Sequence, residues 1–365
     1  MTAAPVQVRH SLGSYPVYVE PGVLGRLEGL VADHLDTART VLVADGNVFA
    51  LLQSGRLARN PWTGPALTFP AGEASKTREQ WARLTDALLA DGFGRDSGII
   101  ALGGGVAGDL AGFVAATYMR GLPYLQVPTS LLAMLDASVG GKTGVDTPEG
   151  KNLIGAFHPP AAVVADPRVL ATLPERDYRG GMAEAVKHGL IADADYFGWI
   201  EAEAGALLRR DEASLTRLVR RSVEIKAEVV GGDEREAGRR AILNAGHTVA
   251  HALERVTDYG LPHGEAVALG LVAESALAEA IGAAGSGLAQ RVAALLERLG
   301  LPVRLAQPLD PDRLIAAMAS DKKNRSARLR FALPSRLGAM GADGTWTQEA
   351  PEPALRQALE LIAPR

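Results

Sequence analysis

The 365-residue sequence predicts an α/β domain over residues 1–175 followed by an all-α domain over 176–365. That length exceeds what one hydrophobic core usually serves and favours two domains. In the first half, short apolar and β-branched runs alternate with amphipathic stretches. Such alternation implies a mainly parallel sheet with ligands at the carboxyl ends of its strands. From about residue 176 apolar residues recur at three-to-four spacing, which is helical periodicity.

Four runs read as strands: "TVLVAD" at 40–45, "SGIIALGGG" at 97–105, "LPYLQVPTS" at 122–130 and "AAVVAD" at 161–166. Residues 76–94 and 106–120 read as helices between them, and the domain boundary falls near "TLPERDY". Beyond it, "EAVKHGLI", "LTRLVRRSVEIKAEVV", "AVALGLVAESALAEAI" and "LAQRVAALLERLG" carry helical spacing. The late run "ARLRFALPS" reads as an isolated strand returning to the first domain.

Composition narrows the function classes. A net charge of -4 without a long basic run argues against nucleic acid or an anionic membrane as partner and favours a small-molecule substrate. With no cysteine, disulfides, thiolate zinc sites and cysteine nucleophiles are excluded, and any metal must use His and carboxylate ligands. The first twenty residues lack an apolar core of signal-peptide length, and no stretch approaches the roughly 20 apolar residues of a membrane span, so a cytoplasmic protein is the expectation.

Among 38 basic residues only seven are lysine: Lys76, Lys142, Lys151, Lys187, Lys226, Lys322 and Lys323. A chain that uses arginine for generic surface cations keeps lysine where a compact ammonium is wanted. The plain alternative is a set of leftover surface lysines.

In "ALGGGVAGDLAGF", Gly103, Gly105 and Gly108 match G-x-G-x-x-G after a strand and at the opening of a helix, where backbone N–H groups approach a pyrophosphate. A tight turn without a ligand explains the pattern equally well. No acidic residue ends the next strand, so the candidate ribose partner is Asp45, at the end of "TVLVAD". Other polar residues interrupt Gly-rich apolar segments: Glu73 and Lys76; Thr129, Ser130, Asp136, Ser138 and Lys142; Lys151 and Asn152. They read as a polar pocket holding an anion.

Three of the seven histidines lie in "NAGHTVAHALERVTDYGLPHGEA". His247 and His251 have the i, i+4 spacing of a helical ligand pair, and His263 follows a Gly-Pro interruption. The zinc-protease motif with that spacing needs a Glu directly after the first His, where Thr248 stands. Buried histidines satisfied by backbone groups are the structural alternative.

The long motifs "GGGVAGDLAGFVAATYMRGLPYLQVPTSLLAMLDASVGGKTGVDTPEGKNLIGAFHPP", "LPERDYRGGMAEAVKHGLI", "AILNAGHTVAHALE" and "LPHGEAVALG", in this order, resemble 3-dehydroquinate synthases of the sugar-phosphate cyclase superfamily. The similarity runs from "VLVADGN" to "SDKKN". It implies an N-terminal NAD-binding α/β domain, a C-terminal helical metal- and substrate-binding domain, and a substrate site in the cleft between them. The implied reaction converts 3-deoxy-D-arabino-heptulosonate 7-phosphate to 3-dehydroquinate and phosphate, in the shikimate route to aromatic amino acids.

By this resemblance the ligands of a divalent metal, zinc or else cobalt, are Glu184, His247 and His263, and His251 handles protons on the substrate. NAD falls to Asp45, Glu73, Lys76, Gly103, Gly104, Gly105, Asp109, Thr129, Ser130, Lys142, Lys151 and Thr172. The substrate falls to Asp136, Lys142, Lys151, Asn152, Lys187, Lys226, Arg240, Asn244 and His251, with Lys322 or Lys323, and Arg120 reaches the phosphate from a neighbouring subunit of a homodimer. Lys142, Lys187, Lys226, Arg240 and Asn244 join His251 as the catalytic set. Two departures, "GHTVAH" for "GHTFGH" and "KHGLI" for "KYGLI", change packing and no charged role, so His188 reads as a tyrosine replacement.

Three other functions share parts of this pattern. A sister cyclase, such as aminodehydroquinate synthase, would keep the NAD and metal sites, but Asn244, His251 and "DKK" favour the dehydroquinate type. A glycerol-type dehydrogenase has no need of so many cations for phosphate and carboxylate. A non-catalytic binding module would not keep metal ligands and acid–base groups together.

Overall fold

The computed structural model describes residues 4–57, 62–319, 329–341 and 345–364. The chain divides into two compact units, Met1–Pro174 with Glu212–Gly231, and Glu175–Asp211 with Gly232–Arg365. A single cut therefore does not describe the division: a helix within the second half of the sequence packs with the first unit.

The first unit is built on a seven-stranded sheet in the order β1-β2-β9-β6-β5-β3-β4. Its strands are β1 Val6–His10, β2 Gly13–Val19, β3 Arg39–Asp45, β4 Ala66–Phe69, β5 Ser97–Gly103, β6 Tyr124–Pro128 and β9 Ala162–Ala165. The pair β1–β2 is antiparallel and every other pairing is parallel. Every residue of β5 and of β6 is buried, as expected of central parallel strands covered on both faces. Outside this sheet, β7 Lys142–Thr147 and β8 Gly150–Phe157 form an antiparallel hairpin.

Four helices, α1 Leu27–His34, α2 Gly46–Gln53, α3 Arg78–Ala90 and α4 Gly105–Thr117, connect these strands. Thr77 caps α3 by accepting the N–H of Gln80, and Leu84 and Leu88 on its buried stripe join Val43, Ile99 and Leu110 in the core. The four strands expected from sequence are present: β3 begins one residue earlier, at Arg39, and β5, β6 and β9 are shorter than the runs that predicted them.

The second unit contains α5 Glu175–Ala192, α6 Ala194–Leu208, α8 His247–Val256, α9 His263–Ala280, α10 Leu288–Arg298, α11 Pro311–Ala319 and α12 Glu352–Leu361. Helix α7, Glu212–Gly232, is the one that packs with the first unit. Helix α9, rich in Ala and Gly, is buried along most of its length. Its small residues let backbones touch: a Cβ on Gly264 would lie 2.2 Å from the carbonyl oxygen of Gly180 in α5, and one on Gly270 would lie 1.9 Å from that of Gly246.

The segment read as a strand returning to the first domain does not return. It forms β10 Arg330–Phe331 and β11 Pro334–Arg336, which pair with β13 Gln348–Glu349 and β12 Ala339–Met340 within the second unit. A short run with alternating apolar residues specifies an extended conformation but not its partner, which here is the following C-terminal chain. Among the described residues no helix is long and apolar enough to cross a membrane.

Candidate functional site

In the first unit, parallel pairing of β3 with β5 sets Asp45 beside Gly103 at the strand ends. A Cβ on Gly103 would lie 2.5 Å from the Ala107 Cβ and 3.0 Å from Asp45 Oδ2, so the turn into α4 accepts only glycine. The N-cap of α4 is Gly104, without a side-chain cap, an arrangement that suits an anion at the helix start. The end of β6 closes on this turn: Thr129 donates its N–H to Gly103 O at 2.8 Å, and Ser130 Oγ faces Gly104. Asp45 also accepts the N–H of Val48 at 2.9 Å and so caps α2, a structural role added to the ribose role expected of it.

Lys76 Nζ meets Asp109 Oδ2 at 2.5 Å, with only 5% of the lysine side chain exposed. Burial disfavours its charge, but Asp109 and Glu73 outweigh burial and hold its pKa above the ordinary 10.5. Lys151 lies 3.8 Å from Glu73 on the other side of this cluster. Lys151 and Asn152 lie on β8 and Lys142 opens β7, so the hairpin presents all three. Asp146 anchors it: its backbone N–H donates to Lys76 O at 2.7 Å, and its carboxylate accepts the N–H of Asn152 at 2.8 Å, where Asn152 has φ 54°. Sequence reading missed Asp146, although a carboxylate inside a Gly-rich run was a signal. Lys226 on α7 donates to Asp136 O at 2.5 Å and lies 2.8 Å from its Oδ1. Arg120 is exposed after α4 with φ 71°, and the Thr172 hydroxyl donates to Val169 O at 2.8 Å.

In the second unit three helices converge. Glu184, on α5 and fully buried, places Oε1 3.6 Å from Nε2 of His247 and 3.7 Å from Nε2 of His263, the first residues of α8 and α9. One ligand atom from each lies within 4.8 Å of the others. His247 Nδ1 sits 3.1 Å from Ala245 O, and His263 Nδ1 sits 3.3 Å from Glu254 Oε1. Carbonyl and carboxylate oxygens only accept, so each Nδ1 carries a proton; the neutral His247 ring turns its Nε2 lone pair to the shared centre, and His263 Nε2 would do so once a cation replaced its second proton. Burial, reinforced by Lys187, holds His247 well below its ordinary pKa and hence neutral. Burial disfavours protonation of His263 too, yet Glu184 and Glu254 outweigh it and hold its pKa up to about 9. A pocket that draws a proton so strongly suits a divalent cation, and one carboxylate with two imidazoles is the donor set of catalytic zinc sites.

The His251 ring stands perpendicular to that of His247, with centroids 5.4 Å apart, so it lies beside the candidate ligands. Lys187, almost fully buried, contacts the second oxygen of Glu184. Arg240 is buried and donates to Glu234 O at 2.5 Å, and Asn244 Nδ2 donates to Glu236 Oε1 at 2.7 Å. Lys322 and Lys323 lie outside the described residues. Glu254 and Glu274, the buried carboxylates behind the histidines, were not singled out from sequence, because a helical Glu reads by default as a solvated face.

The family models for the 3-dehydroquinate synthase N-terminal and C-terminal domains match residues 66–180 and 181–324. The chain is 50% identical over 339 residues to the 3-dehydroquinate synthase of Halorhodospira halophila, covering 92% of this chain and 94% of that protein. The chain belongs to the 3-dehydroquinate synthase family. It is also similar to two solved synthases. One is 2-deoxy-scyllo-inosose synthase complexed with carbaglucose-6-phosphate, NAD+ and Co2+, with TM-score 0.88, 25% identity and coverage of 97% of this chain and 99% of that one. The other is 2-epi-5-epi-valiolone synthase from Streptomyces hygroscopicus subsp. jinggangensis with NAD+ and Zn2+ bound, with TM-score 0.84, 31% identity and coverage of 95% and 96%. As a dehydroquinate synthase family member the protein is a lyase that removes phosphate.

Proposed function

We propose that the protein converts 3-deoxy-D-arabino-heptulosonate 7-phosphate to 3-dehydroquinate and phosphate, residues 1–175 contributing the nucleotide contacts and residues 176–365 the metal ligands. The convergence of Glu184, His247 and His263 with His251 beside them carries this reading. The 50% identity to a 3-dehydroquinate synthase, against 31% and 25% to two other synthases, favours the dehydroquinate reaction among its sisters.

Bound NAD would supply reversible hydride transfer at a secondary alcohol of the substrate, and a divalent metal, zinc or else cobalt, would supply polarisation of that alcohol. The two similar synthases that carry NAD+ with Zn2+ or Co2+ support both cofactors. Glu184, His247 and His263 would hold the metal; Asp45, Gly103, Gly104, Gly105 and the Lys76–Asp109 pair would hold NAD. Three protein ligands leave room for substrate oxygens. His251 takes and returns the proton of the substrate hydroxyl. Lys142, Lys151, Lys187, Lys226, Arg240 and Asn244 bind the substrate's phosphate, carboxylate and hydroxyl groups, and the departing phosphate removes the acidified C–H proton. Ring opening and an intramolecular aldol then close the carbocycle. The working form is a cytoplasmic homodimer with Arg120 reaching the phosphate of the neighbouring subunit.

Incubation with heptulosonate phosphate and catalytic NAD tests this reading. Inorganic phosphate should rise continuously while reduced nicotinamide stays at or below one equivalent per enzyme, and His251→Ala should lose on the order of a hundredfold in rate while keeping its metal. Continuous NADH production without phosphate release would make the protein a dehydrogenase instead.

A further inference from the structure

We propose that Glu254 is a positioning residue of the metal centre, fixing His263 with Nε2 turned toward Glu184 and His247. The inference rests on these three residues holding a metal. Glu254 lies seven residues after His247 on α8, on the same helical face two turns along. Its side chain is 4% exposed, and its Oε1 lies 3.3 Å from His263 Nδ1, while Nε2 of the same ring lies 3.7 Å from Glu184 Oε1.

His263 needs such a partner more than His247 does. Its side chain is 31% exposed against 12% for His247, so packing restrains its ring less. It opens α9 after Pro262, with no side-chain cap to hold the terminus. A carboxylate behind the ring selects the Nδ1–H tautomer, orients Nε2 and raises its basicity toward a cation. The position is costly otherwise: Glu254 is 3% exposed and follows buried Val249, Ala250, Ala252 and Leu253 on the same helix, where an ionisable group is disfavoured unless it is partnered. Together α8 supplies a first ligand, His247, and the carboxylate that orients the ligand of α9.

Metal affinity tests the proposal independently of turnover. The purified protein is stripped with a chelator, and Zn2+ or Co2+ binding is measured by competition with a chromophoric chelator for wild type, Glu254→Ala, Glu254→Gln and His263→Ala. Circular dichroism of the metal-free proteins reports their folding. Removing an outer carboxylate from a metal-bound histidine costs roughly tenfold to a hundredfold in affinity, the loss expected for Glu254→Ala, with an altered visible spectrum of the cobalt form. Glu254→Gln keeps an acceptor without the charge and should fall between, a partial rescue that a purely structural role would not produce in metal affinity. Should Glu254→Ala fail to fold, the isosteric Glu254→Gln decides. Wild-type affinity and cobalt spectrum in the folded Glu254 variants overturn the positioning role alone. If instead wild type holds no stoichiometric metal, or His263→Ala keeps it, the metal reading itself falls and this inference with it.

Discussion

Glu274 Oε2 accepts the backbone N–H of Gly246 at 2.7 Å, so a residue three turns along α9 caps the start of α8. Its other oxygen accepts the N–H of Val249 at 3.1 Å. Gly246 has φ 79° and no side chain with which to cap the helix that begins at His247, so the cap comes from tertiary structure. Loss of a buried acceptor for two N–H donors costs about 1–3 kcal/mol. Glu274→Ala should therefore lower stability by that amount in urea melts of the metal-free protein, and Glu274→Gln, with one acceptor left, by less. Unchanged midpoints for both would show that this cap contributes nothing.

Lys226 and Lys142 should respond differently to arginine. The Lys226 side chain is 7% exposed and bonded twice to Asp136, whereas Lys142 is exposed at the start of β7. Lys226→Arg forces a planar guanidinium into a closed space and should cost about 1–3 kcal/mol as well as turnover. Lys142→Arg should stay within about 0.5 kcal/mol of wild type while phosphate release falls. A Lys226→Arg protein that melts with wild type would contradict the close fit, and full turnover by Lys142→Arg would return Lys142 to an ordinary surface residue.

Asp233 holds the segment that carries Arg240, accepting the N–H groups of Ala237 at 2.9 Å, Gly238 at 2.7 Å and Arg240 at 2.9 Å. Burial opposes ionisation here, but the three donors outweigh it and hold the carboxyl below its ordinary 3.8. A depressed carboxyl stabilises the fold above its unfolded value and loses that contribution as pH falls through its folded one. The deficit of Asp233→Asn, read as the difference in thermal midpoint from wild type, should be full near neutral pH and shrink below about pH 4. A deficit that grows on acidification would reverse the assigned sign.

Much of the site was legible in the sequence because its chemistry is local. The glycines of 103–105 announce a close approach at a strand end, and the structure shows what a Cβ would strike there. Scarce lysines marked polar niches: Lys76, Lys187 and Lys226 are buried, each against a carboxylate. Less legible were residues whose role depends on a distant partner. Glu254 and Glu274 look like ordinary surface acids in sequence, since helical spacing says which face a residue occupies but not what covers that face.

The histidines mark the division between the two kinds of information. By itself the sequence determined the parallel strands, the helical second half and a cluster of three histidines, because periodicity and glycine placement act over a few residues. Only tertiary structure decided that α7 packs with the sheet, that the run near Phe331 pairs within the second unit, and that His247 faces His263 and Glu184 across three helices. The last of these outcomes goes with close backbone approaches at Gly180–Gly264 and Gly246–Gly270, between residues far apart in the chain, that no local pattern encodes.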